Sequence, residues 1–350
     1  MVKNIKIGNK FIGEKRPVFI IAEAGVNHNG DIKLAKKLID VAIKCGADAI
    51  KFQTFTPELL VTETAKQAAY QSKNIGKIET QYAMLKRLEL SGSDFRALRD
   101  YCEKKKTIFL STPFSEKDAD FLETVGLPAY KTSSGDIDNL PFLRHLAAKG
   151  KPMIVSSGMS TLEEVGAAVN IIKKEGCRDL IVLHCTSNYP ASPANLNLLA
   201  IKTIQTEFGV LTGYSDHSKG SVASLLAVAL GACIVEKHFT LDKDMIGPDH
   251  KASLDPVELE SFIKSIRQAE VMLGSFKKKC TAEEANSKIS GRKSIVAKKD
   301  IATGAIISSD DLIMLRPGTG ISPVKVDKVV GRKIIKNIKS GAIITWEMMS

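Results

Sequence analysis

The sequence of 350 residues contains no apolar run of the roughly 20 residues that a membrane-spanning helix needs. Aromatic residues make up only 6% of the chain, and no aromatic-rich RNA-binding motif or helix-turn-helix pattern is recognisable. The six cysteines lack CxxC spacing. We interpret them as small buried hydrophobes in a reducing compartment, although an even number would also permit disulfides. These absences argue against a membrane protein and against a nucleic-acid-binding protein.

The start of the chain and its charge point to a cytoplasmic protein with a small partner. The first apolar run follows the mixed segment MVKNIKIGNK, which does not resemble a signal peptide. The formal net charge is +11, but the Lys and Arg residues are spread along the chain. A short run such as Lys277–Lys279, in a predicted linker, is usually just solvated. We therefore expect a small anionic substrate rather than nucleic acid or membrane.

Short apolar runs recur along the chain, and each ends in a polar or charged cluster. Parallel strands that are buried on both faces read as continuous Val, Ile, Leu and Phe segments of this kind. A helix-like stretch follows most of the runs, so the sequence predicts an α/β fold, a (β/α)8 TIM barrel. The eight runs are VFIIAEAG, DAIKFQ, TIFLST, AYKTSSG, MIVSSG, LIVLHCTS, GVLTGYSDH and CIVEKHF.

The carboxyl ends of all eight strands meet at one rim of such a barrel, so their polar clusters become neighbours. Polar residues at any one strand end can simply mark where the strand meets solvent. A whole set that contains two histidines, three lysines and several hydroxyls is better explained by chemistry. The predicted rim residues are Glu23, Lys51, Gln53, Thr112, Lys131, Ser134, Ser156, Ser187, Tyr189, Ser215, His217, Lys237 and His238.

Capping patterns and a change of composition predict the domain boundaries. Asp31, Thr161 with Glu164, and Asp255 before Pro256 have the positions of helix N-caps. We expect a barrel over residues 1–273, with a partly helical insertion over the rim at 54–91. Residues 274–290 are polar and predict a linker. Residues 291–350 contain a weak repeat, GRKSIVAKKDIATGAII and GRKIIKNIKSGAII, which predicts a small β-rich domain.

His217 and His238 end the last two predicted strands, which are adjacent in a closed barrel. Each histidine alone is more often a hydrogen-bonded structural residue. As a pair at neighbouring strand ends, with Asp216 and Asp249 near them in sequence, they favour a divalent metal site that leaves positions open for substrate.

Lysines and hydroxyls at the other strand ends describe a cradle for phosphate or carboxylate. Lys51 and Lys131 supply the charges. Glu23 can orient a hydroxyl or shuttle a proton, and it can equally be a structural carboxylate paired to a lysine. Asn27 and His28 have a functional interpretation too, but Asn-Gly before a helix is first a turn and a cap.

Long motifs follow one another along nearly the whole chain: FIIAEAGVNHNGD, GADAIKFQTF, FLSTPF, KTSSGDIDNLP, SSGMST, HCTSNYPA, GYSDHS and EKHFTLDKDMIGPDHKASL. In this order they closely resemble the sialic acid synthase family, whose members make N-acetylneuraminate and its bacterial relatives legionaminate and pseudaminate. The later segment DDLIMLRPGTGIS is similar to the antifreeze-like (SAF) domain that ends these enzymes.

The resemblance implies condensation of phosphoenolpyruvate with an open-chain N-acylated sugar. Manganese or magnesium on His217 and His238 would polarise the sugar aldehyde, and Glu23 would join them as a catalytic residue. C3 of phosphoenolpyruvate attacks the aldehyde, water adds at C2, and phosphate leaves through C–O cleavage. The positions that match phosphoenolpyruvate-binding residues are Lys51, Lys131, Ser134, Ser156, Ser187 and Ser215. Those that match sugar-side residues are Gln53, Asn74, Thr112, Tyr189 and Asp249.

Arg316 matches an arginine that one subunit lends to the barrel of its partner, which implies a domain-swapped homodimer. Two positions depart from the family pattern. Asp136 stands where many bacterial members have Glu. Ser187 replaces the Asn of a CTN pattern and Asn188 is displaced by one, so either can make that contact.

Four functions stay open on this evidence. The main expectation is N-acetylneuraminate synthesis from N-acetylmannosamine, with N,N'-diacetyllegionaminate synthesis from 2,4-diacetamido-2,4,6-trideoxymannose as the alternative. A Schiff-base pyruvate aldolase using Lys131 or Lys237 is a rival of another mechanism. A catalytically silent sugar-binding protein is a rival of another class.

Overall fold

Each of the eight apolar runs forms a parallel strand in the computed structural model, which describes residues 4–350. The barrel strands are β3 (Phe19–Gly25), β4 (Ala49–Thr54), β5 (Ile108–Pro113), β6 (Tyr130–Thr132), β7 (Met153–Ser156), β8 (Leu180–Cys185), β9 (Leu211–Asp216) and β10 (Ile234–His238). They pair in the order β5-β4-β3-β10-β9-β8-β7-β6, and the edge strands β5 and β6 pack against each other. The predicted TIM barrel is confirmed as a nearly closed barrel.

Helices surround these strands, and three of them begin where the capping residues predict. They are α1 (Ile32–Cys45), α2 (Pro57–Leu60), α3 (Ala69–Ile75), α4 (Gln81–Leu88), α5 (Gly92–Lys104), α6 (Glu116–Val125), α7 (Leu140–Ala148), α8 (Leu162–Lys174), α9 (Ala200–Phe208), α10 (Val222–Ala229) and α11 (Pro256–Leu273). Asp31 caps α1, while Thr161 and Asp255 form capping boxes with Glu164 and Glu258. Helices α2, α3 and α4 lie within the predicted insertion.

A short hairpin precedes the barrel, formed by β1 (Ile5–Ile7) and β2 (Lys10–Ile12). Its three buried isoleucines pack with inward-facing residues from the first halves of the barrel strands. The resulting inner apolar cluster is Ile5, Ile7, Ile12, Phe19, Ile21, Ala49, Ile108, Leu110, Ala129, Ile154, Ile181, Leu183, Leu211, Cys233 and Ile234. The hairpin therefore covers the amino-terminal end of the barrel.

The chain divides into two compact units, Met1–Gly274 and Ser275–Ser350. The second unit contains α12 (Ala285–Gly291), β11 (Ser294–Ala297) and β12 (Leu312–Leu315). Antiparallel bridges join the two copies of the repeat at Val296 with Ile343, Ile301 with Ile338, and Ile306 with Lys333. The unit has its own apolar core, which includes Ile295, Ile307, Val329, Ile334 and Ile344. The predicted small β domain is confirmed, and all of α12 except its last residue lies within the segment predicted as a linker.

Five of the cysteines are buried with free thiols, as interpreted from the sequence, whereas Cys280 is exposed, so the interpretation as a buried residue is wrong for Cys280. Within residues 4–350, no helix is both long enough and apolar enough to cross a bilayer.

Candidate active site

The mouth of the barrel, at the carboxyl ends of its strands, collects ionisable side chains directly above the inner apolar cluster. On β3, Glu23 follows Ile21 by two positions, and on β10 Glu236 follows Ile234 in the same way. Side chains two positions apart on a strand point to the same side. The inward face of the barrel therefore changes from apolar to ionisable within one pleat.

Two lysines and two glutamates form a buried network in this mouth. Nζ of Lys51 lies 2.8 Å from Oε2 of Glu23 and 3.6 Å from Oε1 of Glu236. Nζ of Lys131 approaches the same Glu236 oxygen at 3.7 Å. Lys51 also donates to the hydroxyl of Thr112 at 3.0 Å. Glu236 thus lies between both ammonium groups, and the structure has the lysine pairing that was one of the two alternatives for Glu23.

Burial separates the proton affinities of the two carboxyl groups. It raises the pKa of Glu23 to about 7, with Glu236 adding to the rise and Lys51 opposing it. Burial also acts to raise the pKa of Glu236, but the ammonium groups of Lys131 and Lys51 outweigh it and lower that pKa. Ser215 donates a further hydrogen bond to Glu236 at 3.3 Å. One carboxyl group is therefore suited to exchanging a proton near neutral pH while the other stays ionised.

Hydroxyl groups gather on the opposite side of the mouth. The Oγ atoms of Ser134 and Ser187 are 3.0 Å apart, and Ser156 is buried at the end of β7. Gly158 allows this close approach, because a Cβ there would lie 2.2 Å from Cβ of Ser134. Its φ of +52° also favours glycine. The exposed Asn188 next to this group makes no side-chain hydrogen bond within the described part of the chain, so Ser187 is the better placed of the two.

The two predicted metal-binding histidines lie together, with ring centroids 5.6 Å apart. Nδ1 of His217 donates to the carbonyl oxygen of Thr186 at 2.9 Å, so Nε2 carries the lone pair when the ring is neutral. Nδ1 of His238 is buried and has no hydrogen-bond partner among residues 4–350. Burial lowers the pKa of His238 well below its usual value, so the ring is neutral. No set of three or more His, Cys, Asp or Glu side chains in that range is arranged around a metal position.

Aromatic rings cover the histidines. The ring centroid of Tyr189 is 4.0 Å from that of His217 and 5.7 Å from that of His238. Tyr70, on α3, stacks on Tyr189 at 5.3 Å. Burial raises the pKa of the neighbouring Asp249 to about 6. The insertion thus encloses one side of the mouth with a tyrosine stack.

Two predicted amides make defined contacts at the same rim. Nδ2 of Asn74, on α3, donates to the carbonyl oxygen of Pro248 at 2.6 Å. Nε2 of Gln53 donates to Oε1 of Glu23 at 3.2 Å. The first bond ties the insertion to the loop after β10, and the second links the outer rim to the buried network.

Lys237 does not lie in the mouth, and its predicted place among the rim residues is wrong. Its Nζ pairs with Asp216 at 3.0 Å and lies 5.8 Å from the ring centroid of Phe262 on α11. Successive side chains of a strand point to opposite faces, so Lys237 faces outward from β10 while its neighbours Glu236 and His238 face the barrel interior.

The segment around Asn27 and His28 is a turn. Nδ1 of His28 accepts from the backbone N–H of Gly30 at 3.0 Å, and Asn27 donates to the carbonyl oxygen of Phe239 at 2.8 Å. These contacts support the interpretation of Asn27 and His28 as parts of a turn before a helix rather than as functional residues.

Arg316 belongs to the second unit, directly after β12. Its Nε donates to the carbonyl oxygen of Gly291 at 3.0 Å, and the side chain is exposed. Its predicted contact with a partner's barrel stays a prediction.

Sequence inspection missed three residues of the mouth: Glu236, Cys185 and Tyr70. Glu236 precedes His238 by two positions, a spacing that places both on one face of a strand. Cys185 ends β8 with its sulfur 3.6 Å from Nδ1 of His217. Tyr70 lies in the insertion and carries no comparable signal.

Comparison with known sequences decides the family. The NeuB family profile matches residues 38–278, and the SAF domain profile matches residues 292–349. The chain belongs to the NeuB family. It is a phosphoenolpyruvate-dependent sugar acid synthase, an enzyme of the class that forms carbon–carbon bonds, as the motifs predicted.

Relatives of this NeuB-family enzyme align with almost the whole chain. The N,N'-diacetyllegionaminic acid synthase of Legionella pneumophila is 47% identical over 99% of both chains. The enzyme of the same name from Campylobacter jejuni is 44% identical over 94% of this chain and 99% of its own. The solved N-acetylneuraminic acid synthetase of Leptospira borgpetersenii is 36% identical, with a TM-score of 0.73 over 82% of this chain and 95% of that one.

Proposed function

We propose that this enzyme condenses phosphoenolpyruvate with 2,4-diacetamido-2,4,6-trideoxymannose to give N,N'-diacetyllegionaminate and phosphate. The observation that carries this choice is the shared name of the Legionella and Campylobacter relatives, which match the chain nearly end to end. N-acetylmannosamine, which the motifs alone favour, is the second candidate substrate. The name of the solved Leptospira relative supports it.

Phosphoenolpyruvate binds at the inner layer of the mouth in this proposal. Lys51 and Lys131 supply positive charge, while Ser134 and Ser156 supply hydroxyl donors. Both ammonium groups are already beside carboxylates, so the network is close to neutral when both glutamates are ionised. Protonation of Glu23 gives this network a net positive charge, and an entering dianion favours the protonated form of Glu23.

The donor set of the two imidazoles fits a divalent cation such as Mn²⁺ or Mg²⁺. In the neutral ring of His217 the lone pair lies on Nε2, because Nδ1 donates to the carbonyl oxygen of Thr186, and His238 is neutral with an unpartnered Nδ1. Two protein ligands leave room for substrate oxygens and water. When bound, such an ion supplies Lewis acidity at the sugar aldehyde.

The residues of the chain orient the reactants and handle protons. C3 of phosphoenolpyruvate forms the new bond to the aldehyde carbon, water adds at C2, and the C2–O bond to phosphate breaks. Glu23 is placed to hold or move a proton, since its pKa of about 7 permits exchange at neutral pH. Gln53 keeps one oxygen of Glu23 oriented through its amide.

The sugar lies on the outer layer, beside the stacked rings of Tyr70 and Tyr189. Tyr189 and Asn74 border one cavity of the rim, and Asp249 lies beside Tyr70 next to it. Arg316 reaches this layer from the partner subunit of a domain-swapped dimer. Thr112 acts indirectly: its hydroxyl accepts a hydrogen bond from the ammonium group of Lys51 and so orients it.

The test of substrate is phosphate release from phosphoenolpyruvate and Mn²⁺ with each candidate sugar. We expect the highest kcat/KM with the diacetamido sugar, lower with N-acetylmannosamine, and lowest with its 6-phosphate. A clear preference for N-acetylmannosamine would reverse the first two candidates.

The Schiff-base rival retains one possible nucleophile, Lys131, because Lys237 is paired outside the mouth. Borohydride with pyruvate should fail to trap the protein, while EDTA should abolish turnover. Trapping at Lys131 together with EDTA-resistant turnover would establish the rival.

Complementation tests the shared site. Arg316→Ala and His238→Ala chains are each expected to be impaired, and a mixed dimer should recover one intact site if the second unit is exchanged. Mixed dimers with no more activity than the two parent proteins would exclude the exchange.

A further inference from the structure

A buried ion pair lies behind the two histidines, on the outer face of the barrel. Oδ2 of Asp216 and Nζ of Lys237 are 3.0 Å apart, with side chains 0% and 2% exposed. The two residues are direct partners in the pairing of β9 with β10. His217 follows Asp216, and His238 follows Lys237. The pair therefore joins two strands at the positions immediately before the two imidazoles.

The same pair also fixes the residue on the other side of His217. Oδ1 of Asp216 accepts from the backbone N–H of Ser218 at 2.8 Å and from its hydroxyl at 2.7 Å. Lys237 donates to the carbonyl oxygen of Ser218. Ser224, on α10, donates to Oδ2 of Asp216 at 2.6 Å. The backbone on both sides of His217 is thus held by one buried network.

The chain beyond each histidine is anchored as well. The carbonyl oxygen of His217 accepts from Ala191 N–H at 2.9 Å, and that of His238 accepts from Leu254 N–H at 3.0 Å. The ion pair adds a buried side-chain link between the two strands at the last paired position before the imidazoles. A buried ion pair is a costly way to gain stability, since apolar residues of similar size often serve as well. Its position therefore points to a geometric role.

We propose that Asp216 and Lys237 are positioning residues that set the spacing of the His217 and His238 imidazoles for a divalent cation. This inference rests on the proposed function, because it takes those imidazoles as the metal ligands. It assigns neither residue a contact with substrate or metal. The pair acts through the backbone, as outer residues that orient metal ligands do.

The experiment measures Mn²⁺ affinity of the purified full-length protein without substrate, by electron paramagnetic resonance of the free ion. The test variant is Asp216→Asn with Lys237→Met, which removes both charges together and leaves no unpaired charge. We expect the Kd for Mn²⁺ to rise about tenfold to a hundredfold, the usual effect of losing such outer contacts. The KM for Mn²⁺ should rise with it, while the KM for phosphoenolpyruvate stays within about twofold.

Asp48→Asn is the matched control. Asp48 pairs with Arg267 at 2.7 Å and accepts from Ile20 N–H at 2.9 Å, at the amino-terminal end of the barrel. The Asp48→Asn substitution should lower the unfolding temperature of the protein without changing its Kd for Mn²⁺. A folded double variant with the wild-type Kd would overturn the proposal.

Two further proteins separate the possible failures. Wild type that does not bind Mn²⁺, or His238→Ala that binds it as wild type does, would refute the metal site of the proposed function. If wild type binds Mn²⁺ and His238→Ala does not bind it as wild type does, the Mn²⁺ affinity of the double variant tests only the proposed role of the Asp216–Lys237 pair. If the double variant does not fold, Asp216→Asn replaces it under the same criterion, because its amide oxygen can still accept from Ser218.

Discussion

The two ends of the barrel interior are built from the same eight strands and have opposite character. At the amino-terminal end, residues such as Ile21, Ile181 and Ile234 pack against the isoleucines of the hairpin. One pleat further along the strands, the interior holds Glu23 and Glu236 with their paired lysines.

This contrast shows how the fold separates stability from chemistry. Removing ionised groups from water costs free energy, and a paired network recovers only part of it. The apolar layer beneath offsets that cost without taking part in the reaction. Substitutions at the two ends should therefore have different signatures, one in turnover and the other in unfolding.

The largest effect is expected from removing one imidazole of the mouth. His238→Ala should lower kcat by about a hundredfold to a thousandfold, the usual loss when one electrostatic group acting on the transition state is removed. Steady-state phosphate release measures this. His184→Gln is the control, because His184 bonds the carbonyl oxygen of Leu196 at 2.7 Å away from the His217–His238 pair. Equal losses in both variants would contradict a special role for the mouth.

A cavity in the apolar layer should give the opposite signature. Ile181 is fully buried in the inner apolar cluster, and Ile181→Ala should lower the free energy of unfolding by about 2–5 kcal/mol. Denaturant unfolding monitors the loss. The kcat/KM of the folded variant should stay near wild type, and a large drop in it would show that the two ends are not independent.

A third test concerns histidines buried outside the mouth. Burial lowers the pKa of His28 from 6.5 to about 4, so the unfolded chain takes up the proton first as pH falls. This stability is full above pH 6.5 and declines toward pH 4, with about 2 kcal/mol lost by pH 5. His250 acts in the same direction. Denaturant unfolding at pH 7.5 and pH 5 should show a smaller difference in His28→Asn than in wild type; an unchanged difference would contradict this cause.

The smallest expected effect comes from outside the barrel. Arg316→Ala should raise the KM for the sugar about tenfold, as expected for one charge-assisted hydrogen bond. The KM for phosphoenolpyruvate should change little, since that substrate binds at the inner layer. Equal changes in both KM values would contradict the assignment of Arg316 to the sugar side.

Much of the barrel and part of the site could be predicted from the sequence. Strands buried on both faces leave continuous apolar runs, and the polar residue that ends each run marks the mouth. This logic located Lys51, His217 and His238. It failed for Lys237, because a run that ends in EKH does not reveal which of its residues face inward until the pleat is known.

Other features left no usable pattern. Strands β1 and β2 have three residues each, too few to show an alternation among the lysines around them. Tyr70 contacts Tyr189 from a helix of the insertion that has no buried residues, so apolar periodicity could not indicate it. Such contacts depend on how distant segments meet, which local patterns do not encode.

The hairpin under the barrel makes the interior blind-ended. With Ile5, Ile7 and Ile12 packed across the lower end, the mouth above is the one way in or out that these strands provide. In the proposed function, the ligand held by Lys51 and Lys131 lies deeper than the one held by Tyr189 and Asn74, so we expect phosphoenolpyruvate to bind before the sugar. On this model, a sugar bound above would keep phosphoenolpyruvate from leaving before the two react.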